Sequence, residues 1–228
     1  MKIAVIIPAY NEEKSIAKVI NDIPKESVNE VIVVNNNSTD NTVAEAQKAG
    51  ATVLNESFQG YGAACLTGIE YCNKKNYDII GFVDGDYSDY PEEIKPMLEL
   101  IINDHYDFVL GSRVMGERET GALPFQSRVG SIIAGFLINL FWKFKFTDLG
   151  PFRVIKADKL NKLNMLDKWY GWTVEMQIKA ARDNYKIKEI PVRYRKRIGK
   201  SKVTGTIKGT VMASIIILST IFKYALKK

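Results

Sequence analysis

The residues best suited to chemistry are Asp84 and Asp86, two carboxylates separated by Gly85 just after the apolar run Ile79-Ile80-Gly81-Phe82-Val83. The run reads as a buried strand, and the glycine lets the backbone turn so that both acids converge beyond its C-terminal end. Hard oxygen ligands on a turn suit Mg²⁺ or Mn²⁺, which in turn holds a diphosphate. An Asp-Gly-Asp is also an ordinary turn sequence, so its meaning depends on its surroundings.

Those surroundings alternate strand and helix. Strands are expected at Lys2–Ile7 (ended by Pro8), Glu30–Val34, Ala51–Leu54, 79–83 and Asp107–Gly111, with helices between them. Asn11 is the expected N-cap of the first helix, with Glu12 and Glu13 in its first turn. The fold class is therefore α/β, a mainly parallel sheet flanked by helices. Its polar loops, Tyr10–Glu12, Asn35–Asp40, Gly60–Gly62 and Asp84–Asp86, all follow strand ends and can share one pocket on one sheet edge. Gly60-Tyr61-Gly62 could offer backbone N–H groups to a phosphate at a helix N-terminus. No GxGxxG fingerprint and no GxxxxGK[ST] loop occurs, which argues against a dehydrogenase or a nucleotide hydrolase.

The chain has 228 residues, 46% of them hydrophobic, enough for one large core. Its net charge of +6 is concentrated after Arg182. The basic residues are interleaved with apolar helices instead of lining a stacking groove, which excludes nucleic acid as a partner. Cys65 and Cys72 read as core residues of a reduced compartment. The first apolar run is too short for a signal peptide, so the cytoplasm, or the cytoplasmic side of the cell membrane, is expected. Val129–Trp142 and Val211–Phe222 are apolar over about 12 to 14 residues, below the roughly 20 needed to span a bilayer. They fit helices lying in the membrane interface; the competing reading is two core helices or an oligomer contact.

The order Pro8-Ala9-Tyr10-Asn11-Glu12, Asn35–Thr42, Gly60-Tyr61-Gly62-Ala63-Ala64 and Asp84-Gly85-Asp86 resembles the family 2 glycosyltransferases of GT-A fold. Downstream, Gly111-Ser112-Arg113, Ser127-Arg128, Asp148–Arg153, Trp172–Met176, Ile190-Pro191-Val192 and Arg197–Lys202 resemble the dolichyl- and polyprenyl-phosphate sugar synthases. The resemblance covers residues 1 to about 210. It implies that Pro8, Tyr10, Glu12, Asn36 and Asp40 contact the base and ribose of a nucleotide-sugar, with Gly60, Gly62, Asp84 and Gly85 completing that pocket. Asp84 and Asp86 would hold the metal, Mg²⁺ or Mn²⁺. Arg113, Arg128, Arg197, Ser201 and Lys202 would hold the acceptor phosphate.

The implied reaction is attack by a polyprenyl- or dolichyl-phosphate oxygen on the anomeric carbon of the donor, with inversion. An already ionised acceptor needs no strong base, only cations that keep two anions close. Glu175 matches a place where other family 2 enzymes keep a catalytic acid and is read as an acceptor-side orienter. Two departures from the family pattern stand out. Asn35 and Asn36 replace the usual acids, which tilts the donor towards a UDP-sugar over GDP-mannose. Ser88 stands where the mannose synthases carry a glutamine ligand, leaving Asp89 or water as the third ligand. The rival functions are a soluble family 2 transferase acting on a polysaccharide, glycolipid or small alcohol, with Glu175 as its base, and a non-catalytic nucleotide-sugar-binding subunit. The expected layout is a catalytic domain over 1–203, with an interface helix at about 125–143, followed by a membrane-associating helix over 204–228.

Overall fold

The computed structural model describes residues 1–199 and 207–226. Ser201 and Lys202 lie outside the described residues. Within them, strands β1 (Ile3–Ala9), β2 (Glu30–Asn35), β3 (Thr52–Asn55), β4 (Ile79–Phe82), β5 (Phe108–Ser112), β6 (Arg153–Lys156) and β7 (Ile187–Pro191) form one sheet in the order β3-β2-β1-β4-β6-β5-β7. β6 runs antiparallel to both β4 and β5, and the other pairings are parallel. The sheet is thus mixed, whereas the alternating pattern predicts only its parallel part.

Pro8 does not end β1. The amide of Val83 donates to the carbonyl of Ile6, so even-numbered residues of β1 face β4. β4 stops opposite Ile6, and the missing N–H of Pro8 therefore falls where no strand needs it. β1 continues along β2 to Ala9, which carries Tyr10 past the sheet edge.

Helices α1 (Ile16–Asp22), α2 (Thr42–Lys48) and α4 (Ile94–Ile102) cover one face, with Val19, Ile20, Met97 and Ile101 buried against it. The other face is covered by α3 (Tyr61–Lys74), α5 (Phe125–Trp142), α6 (Ala157–Leu163), α7 (Trp172–Arg182) and α8 (Ile207–Ala225). α8 packs on α5 and α7, burying Ile221 completely. Among the described residues no helix is long and apolar enough to cross a membrane.

Asn11 is not a cap. α1 begins only after Ser15, and Asn11 sits at φ 55°, a conformation asparagine tolerates well, where its side chain accepts the Thr39 amide at 2.8 Å. Cys65 and Cys72 are free and buried, as expected of core thiols.

Candidate active site

The C-terminal ends of β1, β2 and β4 open into a cavity of about 710 Å³. Pro8, Tyr10, Glu12, Asn36, Asp84 and Asp86 line its sheet-edge side, α5 contributes Ser127 and Ser131, and α8 contributes Ala213 and Ile217. The cavity therefore runs from a pair of carboxylates, past the polar side of α5, to apolar residues that include Leu123, Leu149 and Trp169 and, on α8, Ala213 and Ile217.

Asp84 Oδ1 is buried and accepts no hydrogen bond. Burial, reinforced by the negative charge of Asp86, pushes the Asp84 carboxyl up to about 7, against the opposing pull of Arg197 and Arg113. Asp86 is more fully engaged. Its Oδ1 accepts the Ser88 amide at 3.0 Å and the Ser88 hydroxyl, and its Oδ2 pairs with Arg197 Nη1 at 2.8 Å. Ser88 thus orients Asp86 through Oδ1. Asp89 is buried with both oxygens lacking partners, and burial, followed by the charge of Asp84, pushes it to about 8. Among the described residues no three acidic, His or Cys side chains gather into a metal cluster. The orphaned oxygen of Asp84 beside a second carboxylate nevertheless fits a hard divalent cation, which would relieve their mutual repulsion.

Several predicted contacts are already engaged within the protein. Asn36 Nδ2 donates to the carbonyls of Glu56 at 3.1 Å and Phe58 at 2.8 Å, while its Oδ1 accepts the Gly60 amide at 2.7 Å. Asn35 is likewise bonded to Asn55 and to the Ser38 amide. The two amides therefore clamp loops, while Asn36 also lines the cavity. Asp40 holds the start of α2 through Thr42 and the Glu13 amide and does not line the cavity.

The N-terminus of α3 is capped from outside. The amides of Gly62 and Ala63 donate to the carbonyls of Trp169 at 3.2 Å and Lys168 at 3.0 Å. A Cβ on Gly60 or Gly62 would fall 2.2 Å from the Lys168 oxygen or 2.1 Å from the Asp167 oxygen. These glycines permit a close loop crossing, and the donors expected for a phosphate are occupied.

Of the predicted phosphate ligands, Arg113 borders the cavity but its guanidinium is locked to Asp148, Nε to Oδ2 at 2.7 Å and Nη2 to Oδ1 at 2.8 Å. Arg197 borders it on Asp86. Arg128 is exposed and outside the lining, one residue from Ser127, which does line it. Glu175 is also outside. It is buried beneath α8, pairs with Lys179 at 2.8 Å, and accepts the Tyr224 hydroxyl at 2.6 Å and the Asp167 amide at 2.8 Å. Lys179 and these donors hold its carboxyl below the usual range although burial, the largest influence, acts to raise it. Glu175 ties α7 to α8 and stands outside the cavity in which it was expected to orient the acceptor.

Two residues without an assigned role matter to the site. Arg153, completely buried, donates to the carbonyls of Gly150, Pro151 and Thr173 and so braces two walls of the cavity. Arg195 stacks on Tyr87 with its guanidinium carbon 3.3 Å from the ring centroid, and donates to the Tyr87 carbonyl at 2.7 Å. The alternation Arg193-Tyr194-Arg195 was the available signal.

Residues 4–163 match the family model described as glycosyl transferase family 2. The chain belongs to that family. It is a glycosyltransferase, an enzyme with a GT-A-like α/β fold. It is 30% identical over 221 residues to the dolichyl-phosphate hexose transferase of Haloferax volcanii, covering 94% of this chain and 92% of that one. It is 28% identical over 212 residues to the UDP-N-acetylglucosamine–dolichyl-phosphate N-acetylglucosaminyltransferase of Methanococcus voltae, covering 84% of each. Glucosyl-3-phosphoglycerate synthase from Mycobacterium tuberculosis, solved with Mn²⁺, UDP-glucose and phosphoglyceric acid, shares the fold of this glycosyltransferase at a TM-score of 0.76 and 21% identity, over 98% of this chain and 79% of that one.

Proposed function

We propose that this glycosyltransferase moves a sugar from a nucleotide-sugar, a UDP-sugar in preference to GDP-mannose, to a polyprenyl or dolichyl phosphate at the cytoplasmic surface of a membrane. The observation that carries the reading is the cavity itself, which joins Asp84 and Asp86 to an apolar lining of Leu123, Leu149 and Trp169 with Ala213 and Ile217 of α8. An acceptor with a phosphate head and an isoprenoid tail matches both ends. The relatives from Haloferax and Methanococcus are named for dolichyl-phosphate acceptors, and the second for a UDP-sugar donor, which supports both halves of the proposal.

On this reading Pro8, Tyr10 and Glu12 border the nucleotide, and Asp84 and Asp86 hold Mg²⁺ or Mn²⁺. The bound cation neutralises charge developing on the departing diphosphate. The acceptor phosphate is ionised at neutral pH, so its oxygen attacks the anomeric carbon without a general base. This is consistent with Glu175 standing away from the cavity. Ser127 on α5 offers a hydroxyl on the acceptor side. Residues 1–203 are the proposed catalytic domain and 204–228 the membrane-associating helix.

The test is direct. The purified chain is incubated with a panel of UDP- and GDP-sugars, Mg²⁺ or Mn²⁺ and a short polyprenyl phosphate. Glycosyl transfer from a UDP-sugar, abolished in Asp86→Ala, is expected. A product only with GDP-mannose would overturn the donor assignment, and transfer only to non-phosphorylated alcohols or glycans would overturn the acceptor.

A further inference from the structure

Arg197 is placed on Asp86 by a built support. Its segment runs antiparallel to the loop after β4: the Arg195 amide donates to the Ser88 carbonyl and the Ile198 amide to the Asp86 carbonyl, both at 2.9 Å. The root of the segment is pinned by stacked rings and cations. Arg193 lies over Tyr90 at 4.1 Å, and Arg195 lies over both Tyr90 at 4.2 Å and Tyr87 at 3.3 Å. Cation–π contacts of this kind are substantial when partly desolvated. Beyond the root, Arg197 is the residue that, among those described, reaches the carboxylates. Gly199 follows at φ +86°, with open space around its Cα, so the backbone there adopts a conformation closed to most residues.

The guanidinium therefore neutralises Asp86 while leaving the Asp84 oxygen unpartnered. A divalent cation drawn to these carboxylates meets a positive charge already in contact with one of them. Two cations on one carboxylate, with no anion between them, repel. A diphosphate changes the balance, because it brings acceptors for a bidentate guanidinium as well as ligands for the cation.

We propose that Arg197 is a built-in competitor of the divalent cation for Asp86, displaced only when cation and donor diphosphate arrive together and then transferred to the phosphates. The inference rests on the nucleotide-sugar reading above and deepens it by setting an order of loading. Cation alone binds poorly, cation with diphosphate binds well, and the freed guanidinium reaches the phosphates only after the donor is in place. Asp86 thus has two successive cationic partners, and no bond other than ionic and hydrogen bonds is exchanged.

The experiment measures Mn²⁺ binding to the full chain by electron paramagnetic resonance, with and without UDP, for the unaltered protein, Arg197→Gln and Arg197→Lys. Without UDP, Arg197→Gln should bind Mn²⁺ on the order of tenfold tighter than the unaltered chain, since one competing charge is gone. With UDP the sign should reverse, because the variant lacks the guanidinium that the diphosphate would accept. Arg197→Lys keeps the charge, so its affinity for Mn²⁺ alone should stay near that of the unaltered protein. A merely structural role would shift both variants in one direction, both with and without UDP. If the unaltered chain binds Mn²⁺ with UDP but Arg197→Gln gains nothing for Mn²⁺ alone, the competitor role is overturned and the nucleotide-sugar reading stands. If the unaltered chain binds neither Mn²⁺ nor UDP, that reading fails and the inference with it.

Discussion

Asn36 is held by both ends of its amide. A carboxylate accepts only, so an aspartate there would set its oxygens against the carbonyls of Glu56 and Phe58, which now receive the two protons of the amide. Asn36→Asp is expected to lose about 2–4 kcal/mol of stability, from two lost bonds and a buried charge without donors on that side. Asn36→Ala should cost less, because it removes the bonds without adding a charge. A thermal melt of the three proteins checks the ranking, and Asn36→Asp melting above Asn36→Ala would contradict it. The residues carrying the acidic pair were legible, because Asp-Gly-Asp at a strand end has few other uses in this context. The partners of Asn36, Arg113 and Arg197 were not, because they come from segments far apart in sequence, and no local spacing encodes which polar group a long side chain will meet first.

At the scale of elements, the strands of the parallel half follow from apolar runs and agree with the structure within a residue or two, whereas α1 begins only after Ser15, well past the expected cap at Asn11. β6 escapes because four residues of an antiparallel strand buried between β4 and β5 leave no alternation to read. The joint between α7 and α8 was equally hidden, although Glu175 was singled out for another reason. Its carboxylate sits where Lys179, the Tyr224 hydroxyl and the loop amides converge, so it holds α8 to the body of the enzyme. Glu175→Gln would leave Lys179 buried without its counter-ion, a loss of about 3 kcal/mol by comparison with other broken buried pairs. Sugar transfer should persist at temperatures where the variant remains folded, since the residue is outside the cavity. The acid response has a definite sign. Because the folded carboxyl titrates below its ordinary value, its contribution is present above the unfolded pKa and declines as pH falls through the folded one. Titrating the unaltered protein downward from pH 5 should therefore weaken it more than Glu175→Gln, measured as the narrowing difference between their melting temperatures. A difference that stays constant across that range would exclude the tie.

For the molecule as a whole, the outward sides of α5 and α8 remain apolar and exposed even though the two helices pack together. Phe125, Ile132 and Phe136 on α5 are 75%, 60% and 65% exposed, and Val211, Ile215 and Phe222 on α8 are 51%, 56% and 47% exposed. Singly such residues mean little, but a continuous face of this kind marks an interaction surface. Exposed Lys143, Lys145 and Lys223 follow or end the same helices, the arrangement expected where a lysine head sits among lipid phosphates and its helix lies in the acyl boundary. The same two helices wall the cavity from within, so binding a lipid surface would bring a lipid-borne phosphate to the entrance instead of requiring its extraction into water. Replacing Ile132 and Phe136 together by serine removes apolar area that points away from the cavity. At roughly 1.5–3 kcal/mol per fully buried side chain, and less for partial insertion, vesicle affinity should fall by about a hundredfold. Cosedimentation with vesicles containing anionic lipid measures it, and turnover of a short, water-soluble polyprenyl phosphate should be unchanged. Unaltered vesicle binding would assign the face to a protein contact, whereas parallel loss of binding and of turnover on the soluble acceptor would mean that α5 itself had been displaced. A selective loss, confined to the vesicle-borne acceptor, is the result that ties the apolar face to the cavity's acceptor side.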